Sequence, residues 1–116
     1  MHNRTTVLMI EPQQPESISV RKLVIETAKH NVITAYGGGE GLSLFRKFPR
    51  VDAVVVHAGI TDLPCSKVAA EVREQRPEVP IFVLAPNTGF PCLPADHIIS
   101  SHDPGALLHA LEHLNG

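Results

Sequence analysis

Five short apolar runs mark the chain: Val7 to Ile10, Val32 to Ala35, Ala53 to Val56, Ile81 to Ala85, and His97 to Ile99. They are rich in β-branched residues and largely continuous rather than alternating, as in strands buried on both faces of a parallel sheet. Between them, apolar residues recur at helical spacing. Val20, Leu23, Val24 and Ala28 share one helix face, with Ser17 as a candidate N-cap. Leu42, Phe45 and Phe48 form a second stripe that Pro49 stops, and Val68, Ala69 and Val72 form a third that Pro77 stops. Leu107, Ala110, Leu111 and Leu114 form the last, ahead of Gly116 as a helix ending. Asp103-Pro104 places a capping side chain and a first-turn proline in front of it.

The order is βαβαβαβ, then a proline-rich link, then βα. Strands alternating with helices imply an α/β domain with helices on both faces of a parallel sheet. Right-handed crossovers favour a flavodoxin-like three-layer sandwich, strand order 2-1-3-4-5. Pro12, Pro15, Pro49, Pro64, Pro77, Pro80 and Pro104 punctuate the elements, whereas Pro86, Pro91 and Pro94 crowd the link after the fourth strand. A regular helix does not fit that link.

Composition narrows the function. A chain of 116 residues makes one domain, 1–116. The formal charge of −2 and the absence of a basic stripe argue against nucleic-acid binding. One Tyr, four Phe and no Trp provide no stacking platform for single strands. No apolar run is long enough for a membrane span, and Met1 to Thr6 does not read as a signal peptide, so a cytoplasmic location is expected. Cys65 and Cys92 are too few for a disulfide framework and match no metal spacing. Reduced thiols are the plain expectation, and a regulatory disulfide between them is the sharper alternative.

Four segments in order resemble response-regulator receiver domains, the CheY-like family, over nearly the whole chain. Thr34-Ala35-Tyr36-Gly37-Gly38-Gly39-Glu40-Gly41-Leu42 is similar to the family's T-A-x-x-G-x-E-A-L after the second strand. Val51 to Val56 resembles the P-D-L-V-L-L run before the phosphorylated aspartate. Arg76 to Leu84 resembles D-P-x-I-P-V-I-V-L, and His97 to Leu107 resembles Y-L-V-K-P-F-D-P-E-E-L. The resemblance implies a signalling module of two-component or phosphorelay systems. Its implied partners are a histidine kinase, an output domain or another signalling protein.

The same resemblance exposes what this copy lacks. The family's acidic pair, which holds Mg²⁺, matches Glu11-Pro12; the acceptor aspartate matches His57. The hydroxyl residue matches Ala85, the lysine matches Ser100, and the switch aromatic matches His97. One carboxylate is a poor start for a magnesium site, and a histidine in place of the aspartate forms no acyl phosphate. A pseudo-receiver with no catalytic residues, no metal and no cofactor is therefore expected, acting through protein contacts. Receivers also place roughly twenty residues, including a fourth helix, between strands four and five, well above a usual short connection. Here residues 86–96 fill that space, so a shortened or absent fourth helix is expected. Apolar surface left near the fifth strand and last helix would favour a homodimer there.

The alternative is a small-ligand or transition-metal module using the switch-point pocket around His57 and Glu11. Gly37-Gly38-Gly39 follows the second strand without G-x-G-x-x-G spacing, so it reads as a turn. His109 and His113 stand one helical turn apart but off the apolar stripe, which reads as a solvated face. Asp62 lies in a loop of undetermined direction. An enzyme has no defensible nucleophile–base pair here.

Overall fold

The computed structural model describes residues 5–12, 31–87, 89, 91–92, 94–101 and 103–112. Strands β1 (Thr6–Glu11), β2 (Asn31–Tyr36), β3 (Ala53–His57), β4 (Ile81–Ala85) and β5 (His97–Ser100) form one sheet. All pairs are parallel, in the order β2-β1-β3-β4-β5. Helix α1 spans Gly38–Lys47, α2 spans Cys65–Gln75 and α3 spans Pro104–Glu112. The expected helix bearing Ser17, Val20, Leu23, Val24 and Ala28 lies outside the described residues, as do His113, Leu114 and Gly116.

The continuous apolar runs have a direct cause: alternate residues serve opposite layers. Leu8, Ile10, Val54, Val56, Ile81 and Val83 pack with Phe45, Val68 and Val72 of α1 and α2. Val7, Met9, Val55, Phe82, Leu84 and Ile99 pack with Leu107 and Leu111 of α3. Each buried side chain of this size contributes about 1.5–3 kcal/mol of transfer free energy, so neither face tolerates a polar run.

Helix α1 lies close to β1 because Gly41 has no side chain. A Cβ there would sit 2.4 Å from Cδ1 and 2.6 Å from Cγ1 of Ile10. The glycine-rich turn is real but shorter than expected. Gly37, at φ 108, makes the bend, while Gly38 and Gly39 already belong to α1. Phe48 departs from its stripe. It is the C-cap of α1 in extended conformation and remains 44% exposed, whereas Leu42 and Phe45 are buried. Asp103 caps α3 as the sequence indicates, its Oδ1 accepting the N–H of Ala106 at 3.0 Å.

One expectation near the link needs correction. Its described residues form no helix, as expected, while Phe90, Leu93 and Leu114, which bear on apolar exposure near β5 and α3, lie outside the described residues. Among the described residues, the exposed large hydrophobic side chains are Tyr36 and Phe48, away from β5 and α3. Of the link's described residues, Cys92 is buried and Ala95 packs on the core. The cysteines are not free. Cys65, at the start of α2, is bonded to Cys92 across 27 positions, with Cα atoms 6.1 Å apart. The link runs back over the start of α2, a proximity that spacing along the chain does not encode.

Candidate functional site

The carboxyl edge of the sheet gathers most of the residues singled out from the sequence. Ile10 pairs with Val56, which sets Glu11 and His57 side by side at the ends of β1 and β3. His57 pairs with Leu84, and Ala85 pairs with Ser100. Glu11, His57, Ala85 and Ser100 therefore stand in a row across four strands, at the switch point where open α/β sheets bind ligands. Pro12 follows Glu11 and turns toward the same place. A Cβ on Gly59 would come 2.9 Å from His57 Nδ1 and 3.5 Å from Pro12 Cγ, so both rings converge on Gly59.

His57 is half-buried, and its Nδ1 accepts the N–H of Gly59 at 2.9 Å. This bond assigns the acceptor role to Nδ1 and places the ring proton of the neutral imidazole on Nε2. The N–H of Ala58 donates to Leu84 O at 2.8 Å, extending the β3–β4 ladder one residue past the strand. Glu11 is buried at 4% exposure, and its carbonyl accepts the N–H of Gly37 at 2.9 Å. That bond ties the turn after β2 to the end of β1.

His97 does not join the group. It opens β5 at the other end of the strand, with its ring stacked on Phe82 at 5.2 Å and 17°. His109 is exposed on α3. The glycine turn and Asp62 prove to be one device. Asp62 accepts the N–H of Gly38 through Oδ1 at 2.8 Å and that of Gly39 through Oδ2 at 2.9 Å. A helix start without its own capping side chain leaves orphan N–H groups, and here a carboxylate from the β3–α2 loop satisfies two of them. The hydrogen bonds from Gly39 and then Gly38 hold the Asp62 carboxyl below its ordinary pKa. The signal for this partner in the sequence was negative: Gly37, at the bend, and Gly38 and Gly39, which open α1, include no Ser, Thr, Asp or Asn.

The donor set bounds the chemistry. Mg²⁺ takes several hard oxygen ligands in near-octahedral order. Among the described residues, the row offers one acidic side chain, Glu11, beside the ring of Pro12; the Asp62 carboxylate is committed to Gly38 and Gly39, and His57 already uses Nδ1 as an acceptor. These residues do not fit Mg²⁺. Among the described residues, no three His, Cys, Asp or Glu side chains come together as a metal site. No described helix is long and apolar enough to cross a membrane.

No protein-family model matches the sequence, and no curated protein matches it significantly. Solved structures do match. Chemotaxis response regulator CheY4 of Vibrio cholerae is similar at 24% identity and a TM-score of 0.79, over 97% of this chain and 99% of that one. A CheY-like receiver domain protein from Methanospirillum hungatei has a TM-score of 0.80 at 18% identity, over 97% and 95% of the two chains. Response regulator TrrA of Thermotoga maritima, in complex with Mg²⁺–BeF, has a TM-score of 0.77 at 20% identity, over 95% and 98%. The shared strand order and near-complete coverage give this chain the CheY-like receiver fold, flavodoxin-like with five parallel strands.

Proposed function

We propose that residues 1–116 are a single receiver-like signalling domain of the cytoplasm that takes no phosphoryl group on aspartate and works through protein contacts. The observation that carries this reading is His57 at the end of β3, where the resemblance puts the phosphoryl acceptor. An imidazole there forms no acyl phosphate. Glu11-Pro12 supplies one carboxylate where the family has two. Ala85 lacks the hydroxyl, and Ser100 the ammonium group, that the resemblance puts at these positions to hold phosphoryl oxygens. With the chemistry absent, the retained fold has surfaces to offer: a histidine kinase, an output domain or another signalling protein is the partner class. A homodimer through β5 and α3 belongs to the same reading, and light scattering at high concentration tests it.

Incubation with a small phosphodonor and Mg²⁺, followed by intact-mass measurement, tests the central claim. The expected result is no phosphoryl gain. A gain that is lost in mild base, as an acyl phosphate is, overturns it.

Convergence of His57 and Pro12 on Gly59 beside Glu11 favours one second reading, a transition-metal or small-ligand pocket. His57 Nε2 and Glu11 would be its first ligands. Thermal shifts with Zn²⁺, Ni²⁺ and nucleotides decide it. Stabilisation that disappears in His57→Ala supports the pocket, and none with any of them removes it.

A further inference from the structure

We propose that Cys65 and Cys92 are a reversible thiol–disulfide switch that fastens the β4–β5 link to the start of α2, with a low-molecular-weight disulfide as oxidant. The inference stands on the placement of the two cysteines and does not need the receiver reading. The chain has two cysteines, and the fold brings both to one point across 27 positions.

What the bond holds is specific. Among described residues 86–92, the hydrogen bonds are local: Gly89 N–H to Asn87 Oδ1 at 3.0 Å, and Ala95 N–H to Cys92 O at 3.0 Å. Among the described residues, the sulfur–sulfur bond and the packing of Cys92 in the core tie this stretch to another element. The link's far end is fixed independently. Asp96 exchanges two backbone-directed bonds with Ile81 and meets Arg73 Nη2 at 2.6 Å, and Arg73 also donates to Pro94 O at 3.2 Å. Breaking the bond therefore removes the covalent hold on this stretch, leaving packing alone to keep Cys92 in place, while β4 and β5 keep their pairing.

Both states have somewhere to go. Cys65 is 8% and Cys92 3% exposed, within the same apolar cluster as Ile60, Val68 and Ala85. A free thiol packs in such a place as a small hydrophobe, so reduction leaves the core filled. Yet the bond lies just below the surface, because Pro64, Ser66 and Pro91 beside it are exposed. Opening the link gives a reagent access. The cluster reaches the carboxyl edge through Ala85 and through Ile60, whose N–H donates to His57 O at 3.3 Å.

The exchange balances. The thiolate of one cysteine attacks a sulfur of the small disulfide, forming a mixed disulfide and releasing one thiolate. The second cysteine attacks the mixed bond and releases the other. Two protein thiols are oxidised, the small disulfide is reduced to two thiols, and the two protons pass to those products. Excess small thiol runs the sequence backwards. In a compartment with a glutathione pool, a bridge that answers the thiol–disulfide ratio is a sensor rather than a staple.

The test equilibrates the full chain in glutathione buffers of varying ratio, quenches, alkylates in denaturant and counts thiols by mass. Hydrogen exchange is then measured on the fully oxidised and fully reduced protein. The expected result is an interconversion between no alkylated cysteine and two, with about tenfold faster exchange at residues 86–95 and 62–67 when reduced. Exchange at residues 54–56 and 81–84 stays unchanged. The Cys65→Ala/Cys92→Ala double variant shows the reduced pattern in every buffer. Thiols free at all ratios, a bond retained at all ratios, identical exchange in both states, or global unfolding on reduction would each overturn the switch.

Discussion

The two edges of the sheet are built differently. At the amino edge, charged side chains complete backbone hydrogen bonds that strand starts would leave open. Asp52 donates its N–H to Thr6 O at 2.8 Å, and its Oδ2 accepts the Thr6 N–H at 2.8 Å. Asp96 repeats the device on Ile81, at 2.9 and 2.7 Å. Arg76 lies 3.7 Å over the Phe45 ring and donates to the carbonyls of Phe45, of Pro49 at 2.8 Å and of Phe48 at 3.2 Å. At the carboxyl edge, Glu11, His57, Ala85 and Ser100 stand in a row, and the surrounding loops are fastened by a carboxylate cap and a sulfur bridge. The amino edge commits its charges to holding the chain. The carboxyl edge keeps chemistry-bearing side chains at strand ends, with fastenings that answer proton and thiol concentration.

The largest expected effect belongs to Arg76. Arg76→Ala removes a stacked guanidinium and the charged donor shared by three carbonyls, so a loss of about 3 kcal/mol is expected. Urea unfolding with an unchanged m-value measures it. A loss below about 0.5 kcal/mol, the usual surface range, breaks the claim that this edge carries stability. Asp96→Ala comes next, at about 2 kcal/mol, because it strands the Ile81 N–H and parts the ion pair with half-buried Arg73. It also has a spatial signature: faster hydrogen exchange at residues 81 and 94–97 but not at residues 38–41. If exchange rises equally at both, the edges are not separate units.

Legibility in the sequence follows the same division. Periodicity reports how one element meets its own layers, which is why the runs of β1, β3 and β4 and the stripe at Val68, Ala69 and Val72 reappear as buried positions, whereas edge strands β2 and β5 are only partly covered. Local caps are equally visible, as at Asp103-Pro104. The row at the carboxyl edge was legible through the resemblance to receivers, which singled out its members, and the strand order then aligns them. Ties between distant segments were not legible. Asp62 reaches Gly38 over 24 positions and Arg76 reaches Phe45 over 31, and no spacing rule pairs them. For the same reason reduced thiols were the plain expectation at Cys65 and Cys92, with the disulfide between them only the alternative. Phe48 failed differently: it keeps helical spacing from Phe45, but the chain leaves the helix at that residue, so its side chain loses the phase of the stripe.

The smallest effect tests, through pH, the carboxylate that fastens the carboxyl edge. The carboxyl of Asp62 titrates below its ordinary value in the folded protein, held there by the N–H groups of Gly39 and Gly38. A depressed carboxylate stabilises the fold fully above its unfolded pKa of about 3.9, and that contribution is lost as pH falls through the lower folded value. Loss of an N-cap costs about 1 kcal/mol, so Asp62→Ala should be less stable than the native protein by that amount near neutrality. The gap should stay constant down to about pH 5 and close below about pH 4. Asp62→Asn keeps an acceptor oxygen without the charge, so it should fall between the two near neutrality and lack the acid dependence. Urea titrations of the three proteins between neutral and strongly acid pH read the gap directly. If the native and Asp62→Ala curves run parallel into strong acid, the cap owes nothing to its charge. The proton sensitivity assigned to the carboxyl edge then fails, leaving the thiol bridge as its one responsive fastening.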